Sequence, residues 1–124
     1  MTTSAKRIML FEDNKSIHTL LRFLCQKLGF ETRFEEDGTR AVEQVQEFKP
    51  DLIIMDVIMP GKGGVEACMD LRHAGVATPI LMLTSKTFQE DKERGLAAGA
   101  NAYLFKPFNP KELLAEIERL LPPA

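Results

Sequence analysis

Short apolar runs of strand length recur along the chain, at Arg7–Phe11, Glu31–Phe34, Leu52–Met55, Pro79–Leu83 and Ala102–Phe105. Between them the apolar residues change period and recur every three or four positions, the mark of an amphipathic helix. Asn14–Leu28 carries Ile17, Leu20, Leu21, Leu24 and Leu28 at that spacing and stops at Gly29, a glycine end signal. Thr39–Phe48 puts Ala41, Val42, Val45 and Phe48 on one face, and Pro50 closes it. Val65–Arg72, Gln89–Ala98 and Pro110–Leu121 complete five helices, the last opening with Asn109 as cap before Pro110 at the first helical position. Strict alternation of strand and helix predicts an α/β fold: a doubly wound, five-stranded parallel sheet, (βα)5, with right-handed crossovers and helices on both faces. With strand order 2-1-3-4-5, the first and third strands flank the switch point, where open sheets of this kind bind their ligands.

At 124 residues and 44% hydrophobic, the chain is expected to form one compact domain over residues 1–124 with its own core. Sixteen basic and 18 acidic residues are mixed along it, for a net charge of −2. This balance gives no electrostatic reason to expect nucleic acid or an anionic membrane as a direct partner. Cys25 and Cys68 sit in helical patterns without CxxC spacing, so buried free thiols in a reducing compartment are expected. No run approaches the ~18 apolar residues of a membrane span, and Met1–Arg7 leads into too short an apolar run for a signal peptide. The expected location is the cytoplasm. Pro122-Pro-Ala124 alone resembles linker, and a free-standing protein and an excised domain both remain open.

Two of the apolar runs end in carboxylates. Asp51-Leu-Ile-Ile-Met-Asp56 breaks at once into Val57-Ile-Met-Pro-Gly61, and Ile8-Met-Leu-Phe11 is closed by Glu12 and Asp13. If these runs are neighbouring parallel strands, all three acids point into one crevice. Two unit charges ~4 Å apart repel by roughly 4 kcal/mol at an effective dielectric near 20, so the cluster needs a divalent metal or a lysine. Lys106, just after Ala102–Phe105, is the lysine available. Taken singly, Asp13 reads as a helix N-cap, Glu12 as a loop acid, Asp56 as a turn initiator, Thr84 as a strand-end hydroxyl and Lys106 as a surface lysine. Their joint placement at strand ends favours a site. His18 and His73 lack metal-ligand spacing, and Met9, Met55, Met69 and Met82 read as core filler.

Together these residues resemble the receiver domain of two-component response regulators, the CheY-like family, over essentially the whole chain. The parts are Glu12-Asp13, Asp56, Met59-Pro-Gly with Gly64, Thr84-Ser85, and Tyr103-Leu-Phe-Lys106-Pro107-Phe108. The resemblance implies that Asp56 accepts a phosphoryl group from a histidine kinase or phosphotransfer protein in a Mg²⁺-dependent transfer. Asp13 and Asp56 would be direct metal ligands, Glu12 would act through a metal-bound water, and the backbone carbonyl of Ile58 would complete the set. Lys106 would neutralise a phosphoryl oxygen and the Thr84 hydroxyl would donate to another. From receivers with an aromatic at the same place, Thr84 and Tyr103 are read as a switch for the face of the fourth helix, fifth strand and fifth helix, which would bind an output protein or a fused output domain. Ile58 and Lys86 occupy positions that tune phosphoryl lifetime in the family. The X-Pro bond at Pro107 is one that receivers often hold cis.

Three rivals are weaker. An aspartyl-phosphate phosphatase typically has a second aspartate two residues after the first, where this chain has Ile58. A flavodoxin-like FMN carrier would have a Ser-, Thr- and Gly-rich loop where Phe11-Glu-Asp-Asn14 would repel phosphate. The alternative kept beside the phosphorylatable receiver is a pseudo-receiver, a protein-interaction module that is never phosphorylated. The presence of all five site groups argues against it. No external substrate is expected, so the chain would not be an enzyme beyond accepting and slowly losing its own phosphoryl group.

Overall fold

The computed structural model describes residues 5–85 and 89–121, without the side chains of residues 89–91. Among the described residues, the parallel strands β1 (Arg7–Phe11), β2 (Glu31–Glu35), β3 (Leu52–Asp56), β4 (Ile80–Ser85) and β5 (Ala102–Lys106) form one sheet in the order β2-β1-β3-β4-β5. They alternate with α1 (Lys15–Lys27), α2 (Ala41–Phe48), α3 (Gly64–His73), α4 (Gln89–Ala97) and α5 (Pro110–Leu120). The expected fold class and strand order are both observed.

Two-residue alternation along the strands divides the core into two layers. Met9, Phe11, Ile53, Met55 and Met82 face α2 and α3, where they meet Val45, Ala67, Cys68 and Leu71. Ile8, Leu10, Ile54, Leu81 and Leu83 face the other side and meet Leu21, Leu24 and Cys25 of α1 with Leu113 and Ile117 of α5. β3 lies between β1 and β4 and is buried at every residue, which is why it reads as an unbroken apolar run. Both cysteines are free and buried, as expected.

The strand ends differ from the sequence reading in a direction that matters. Asp56 pairs with Leu83, and Thr84 and Ser85 pair with Phe105 and Lys106, so these polar residues close the ladders rather than open the loops. At the other end Pro79 lacks an N–H and joins only as an acceptor from Ile53, so β4 begins at Ile80. α2 begins at Ala41 because the Thr39 N–H is taken by Asp37 Oδ1 at 2.7 Å. Two apolar positions are also corrected. Leu28 is the C-terminal cap of α1 and is exposed. Met69 is 45% exposed, because Ala67, Cys68 and Leu71 already face the sheet and the next residue round the helix turns away. Lys86 and Pro122–Ala124 lie outside the described residues.

Loops at the opposite, N-terminal edge of the sheet are held by specific contacts. The Arg72 guanidinium donates to the carbonyls of Val76, Thr78 and Gly99 and to Asn101 Oδ1, over 2.8–3.1 Å, and ties the α3–β4 and α4–β5 connections together. The N-terminus of α3 packs directly on the end of β3. A Cβ at Gly64 would meet the Asp56 carbonyl oxygen and lie 3.0 Å from Val57 Cα. Only backbone fits there. Gly64→Ala should therefore destabilise the fold by about 1–3 kcal/mol, the usual effect of overpacking, read as a lower urea midpoint at unchanged m-value.

Candidate functional site

Five polar groups meet at the C-terminal rim of the sheet because register puts them there. β1 and β3 pair Phe11 with Met55, so Glu12 and Asp56 are the next neighbours along the two strands. Glu12 is kept in line by its N–H to Glu35 O, 3.0 Å, and accepts from Asn14 N through Oε2 at 3.1 Å. Asn14, not Asp13, caps α1: its Oδ1 accepts from Ser16 N and Ile17 N at 3.0 and 3.1 Å. Asp13 is thereby left out of the cap and exposed at the mouth of the site.

Glu12, Asp13 and Asp56 each offer a carboxylate oxygen within 4.8 Å of the others. Lys106 answers them. Its Nζ lies 2.7 Å from Asp56 Oδ2 and 3.1 Å from Glu12 Oε1. Asp56 Oδ1 also accepts from Ile58 N at 3.2 Å, so the turn role that the sequence allowed for Asp56 coexists with its place in the site. The cleft above them, about 270 Å³, is lined by Asp13, Asn14, Asp56, Ile58, Thr84, Ser85 and Lys106.

The electrostatics are only partly balanced. Glu12 is 0% exposed. Its burial, followed by the neighbouring Asp56, pushes its carboxyl up to about 7, against the opposing pull of the Asn14 N–H and the Lys106 charge. Burial works against the Lys106 charge, but the hydrogen bond and charge of Asp56, with Glu12 behind them, hold its pKa above the ordinary lysine value. Among the described residues, two buried oxygens have no hydrogen-bond partner, Glu12 Oε1 and Thr84 Oγ1. The Glu12 atom is at ion-pair distance from Lys106 but misses hydrogen-bond alignment. Unsatisfied buried oxygens are costly unless something completes them. An all-oxygen, multiply anionic donor set with an unfilled buried acceptor suits a hard divalent cation such as Mg²⁺. The buried Thr84 hydroxyl is similarly placed to donate to an anion in the cleft.

Tyr103 stands apart from the carboxylates. It packs on the α3 and α4 side of the sheet, its ring edge-to-face with Phe105 at 5.2 Å between centroids. Ile58 is 56% exposed and borders the cleft. The Lys106–Pro107 peptide bond is cis. The capping role of Asn14 escaped the sequence reading, although an asparagine directly before an apolar helical stretch is the usual signal. A more spacious cleft, about 670 Å³, lies by His18, Phe34 and Arg40, away from Asp56. Its ring surface is already used, with His18 stacked on Phe34 at 3.9 Å and Arg22 over Phe34 at 4.9 Å. The carboxylates Asp13 and Asp56 line the smaller cleft, not this one.

Comparison with known proteins agrees with this geometry. Residues 8–118 match the response regulator receiver domain family. The DNA-binding response regulator MtrA of Mycobacterium tuberculosis is 40% identical over 121 residues, covering 98% of this chain and 53% of the relative. The chain thus spans about half the length of the curated relatives it matches. Among solved structures, Vibrio cholerae chemotaxis protein CheY4 superposes with a TM-score of 0.87 at 37% identity, covering 95% of this chain and 100% of that one. The receiver domain of the sensor histidine kinase PA1611 from Pseudomonas aeruginosa, with a magnesium ion coordinated in its active site cleft, gives 0.85 at 34% identity, covering 94% and 98%. With its switch-point carboxylates, its paired lysine and a family match over nearly its whole length, the chain belongs to the response regulator receiver domains of two-component systems.

Proposed function

We propose that this receiver is phosphorylated on Asp56 by a histidine kinase or histidine phosphotransfer protein. The observation that carries the reading is the approach of Lys106 Nζ to Asp56 Oδ2, 2.7 Å, inside a three-carboxylate cluster that opens into a cleft. In the transfer, an Asp56 carboxylate oxygen forms a bond to phosphorus as the P–N bond of the donor phosphohistidine breaks. The imidazole nitrogen leaves with the electron pair and takes a proton from solvent. Lys106 balances charge on the arriving group, and the Thr84 hydroxyl, which has no hydrogen-bond partner among the described residues, donates to one of its oxygens. Such a transfer asks for positioning and charge neutralisation more than for covalent chemistry by the protein.

Mg²⁺ held by Asp13 and Asp56, by the Ile58 carbonyl and by Glu12 through water would supply the screening that lets a carboxylate approach an anionic donor. The protein does not turn over an external substrate. It acts as its own acceptor, and Tyr103 with the face of α4, β5 and α5 passes the state to an output protein or fused output domain. The charge balance of this segment gives it no electrostatic footing on DNA; DNA binding is a property of the MtrA relatives, which are about twice its length. No described helix is long and apolar enough to cross a membrane. A cytoplasmic location is part of the same proposal.

Three outcomes are expected. Incubation with Mg²⁺ and acetyl phosphate should add one phosphoryl group by intact mass, and Asp56→Asn should abolish it; unchanged labelling of that variant would refute the acceptor assignment. Asp13→Asn should retain the fold but weaken Mg²⁺ binding, since an anionic ligand is lost.

The second outcome is a pH dependence. Since the Glu12 carboxyl is held up at about 7 from its ordinary 4.5, folding without metal favours its protonated form. That contribution to stability is complete below about 4.5 and is lost as pH rises through about 7. Mg²⁺ favours the opposite, charged form, so its affinity should rise about tenfold from about pH 6 to about pH 8 by calorimetric titration. Glu12→Gln should flatten that dependence.

The third concerns lifetime. Ile58 borders the approach of a hydrolytic water and offers no group to orient it, while its partner in this role, Lys86, lies outside the described residues. Equal stabilisation of ground and transition states gives no acceleration, so the phosphoryl state should persist. Ile58→Asn should speed dephosphorylation by about tenfold, about 1.4 kcal/mol in barrier, and a Lys86→Gln change should also alter the rate. Phosphoryl loss followed by mass after removal of the donor decides it, with no response to either substitution ruling out control by these side chains.

A further inference from the structure

Beside the phosphoryl site, the outer face of β5 carries a cation that none of the roles above uses. Lys92 of α4 places its ammonium 4.0 Å from the centroid of the Tyr103 ring and 5.9 Å from that of Phe105. The described residues give it no carboxylate at ion-pair distance; the two rings are its partners. An ammonium within about 6 Å of an aromatic face is drawn to the ring quadrupole. The two rings are themselves joined edge-to-face, 5.2 Å apart at 62°. The cation therefore sits on a coupled aromatic pair.

Strand register links that pair to the site. In the parallel ladder Met82 stands beside Tyr103 and Thr84 beside Phe105, so all four side chains project to the α4 side of the sheet. Thr84 is the residue whose buried hydroxyl lacks a partner among the described residues. A short line of neighbours thus runs from the cleft through Thr84 to its strand partner Phe105, on to Tyr103 by ring contact, and ends at Lys92 on the helix that covers them.

We propose that Lys92 is a positioning residue of the switch: its ammonium, seated over the joined rings of Tyr103 and Phe105, holds Tyr103 and α4 in the resting arrangement and so competes with occupancy of the phosphoryl site. The proposal rests on the reading of Asp56 as acceptor and Tyr103 as responder. Any movement of Thr84 toward a bound phosphoryl group changes the space beside Phe105, and Tyr103 can follow only by leaving the cation. Occupancy and the Lys92 contact are then linked, and each must weaken the other by the same factor. Charge, not bulk, carries the effect. A methionine keeps an apolar stem over the rings without the charge, whereas an arginine keeps the cation.

Tyr103 is the only tyrosine and the chain has no tryptophan, so tyrosine fluorescence and ring NMR signals report this position alone. The test is a titration of the wild type, Lys92→Met and Lys92→Arg with beryllofluoride in the presence of Mg²⁺, following both signals. Lys92→Met should bind beryllofluoride about two- to five-fold more tightly, and the Tyr103 signal of its free form should lie part of the way toward the bound one. Lys92→Arg should behave as the wild type. Equal affinities in all three proteins, with Tyr103 still responding to beryllofluoride, would overturn the role of Lys92 alone. A matching change in Lys92→Met and Lys92→Arg would assign the effect to packing and overturn it too. A wild type that binds no beryllofluoride would remove the acceptor reading, and the proposal with it.

Discussion

The mutual repulsion of Glu12, Asp13 and Asp56 is the constraint around which the rest of the molecule is arranged. Three carboxylate oxygens within 4.8 Å are held together by strand register, not by attraction. Like charges this close repel, and most strongly where water is excluded, as around the buried Glu12 and Asp56. Lys106 offsets part of this from the end of β5, at 2.7 Å from Asp56 and 3.1 Å from Glu12. Burial first and Asp56 second push the Glu12 carboxyl up to about 7, more than the Asn14 N–H and the Lys106 charge pull it down. The resting site is therefore electrostatically under-compensated and receptive to further positive charge.

Other features follow from holding such a cluster at the rim of a sheet. The hydrophobic interior of both layers supplies the rigidity, with β3 buried throughout beneath Asp56. Gly64 lets the start of α3 lie against the Asp56–Val57 backbone, which sets the floor of the cleft. Asn14 caps α1 and leaves Asp13 facing the opening. On the far side, β4 and β5 carry a hydroxyl and two aromatic rings on one face, under a helix whose Lys92 ammonium lies over Tyr103. The cleft and the aromatic pair on the α4 face are thus separated by only one strand pair.

Much of this was legible in the chain because the relevant signals are local. Period-two and period-3.6 apolar spacing placed ten elements, and acids following Ile8–Phe11 and Leu52–Met55 marked the functional strand ends. Departures occurred where local pattern competes with geometry. Met69 looks like core by type, yet the helical turn puts it outside once Ala67, Cys68 and Leu71 face the sheet. Asp13 looks like a cap, yet the side chain one residue later has the reach to the first free N–H groups. Asp56 and Lys106 look like turn residues just past a strand, yet pairing continues through them.

What the sequence determined by itself is the alternation of elements, the fold class it permits, and the identity of the acids, hydroxyl and lysine at strand ends; these depend on residues adjacent in the chain, where periodicity and turn chemistry act. What only the tertiary structure decided is distance and environment: that Lys106 reaches both Glu12 and Asp56, that Glu12 is fully buried, that the buried Thr84 hydroxyl has no partner among the described residues, and that Lys92 lies over Tyr103. These couple residues far apart in sequence, 50 positions for Lys106 and Asp56. Their energies depend on separation and dielectric, and both exist only once the sheet is assembled.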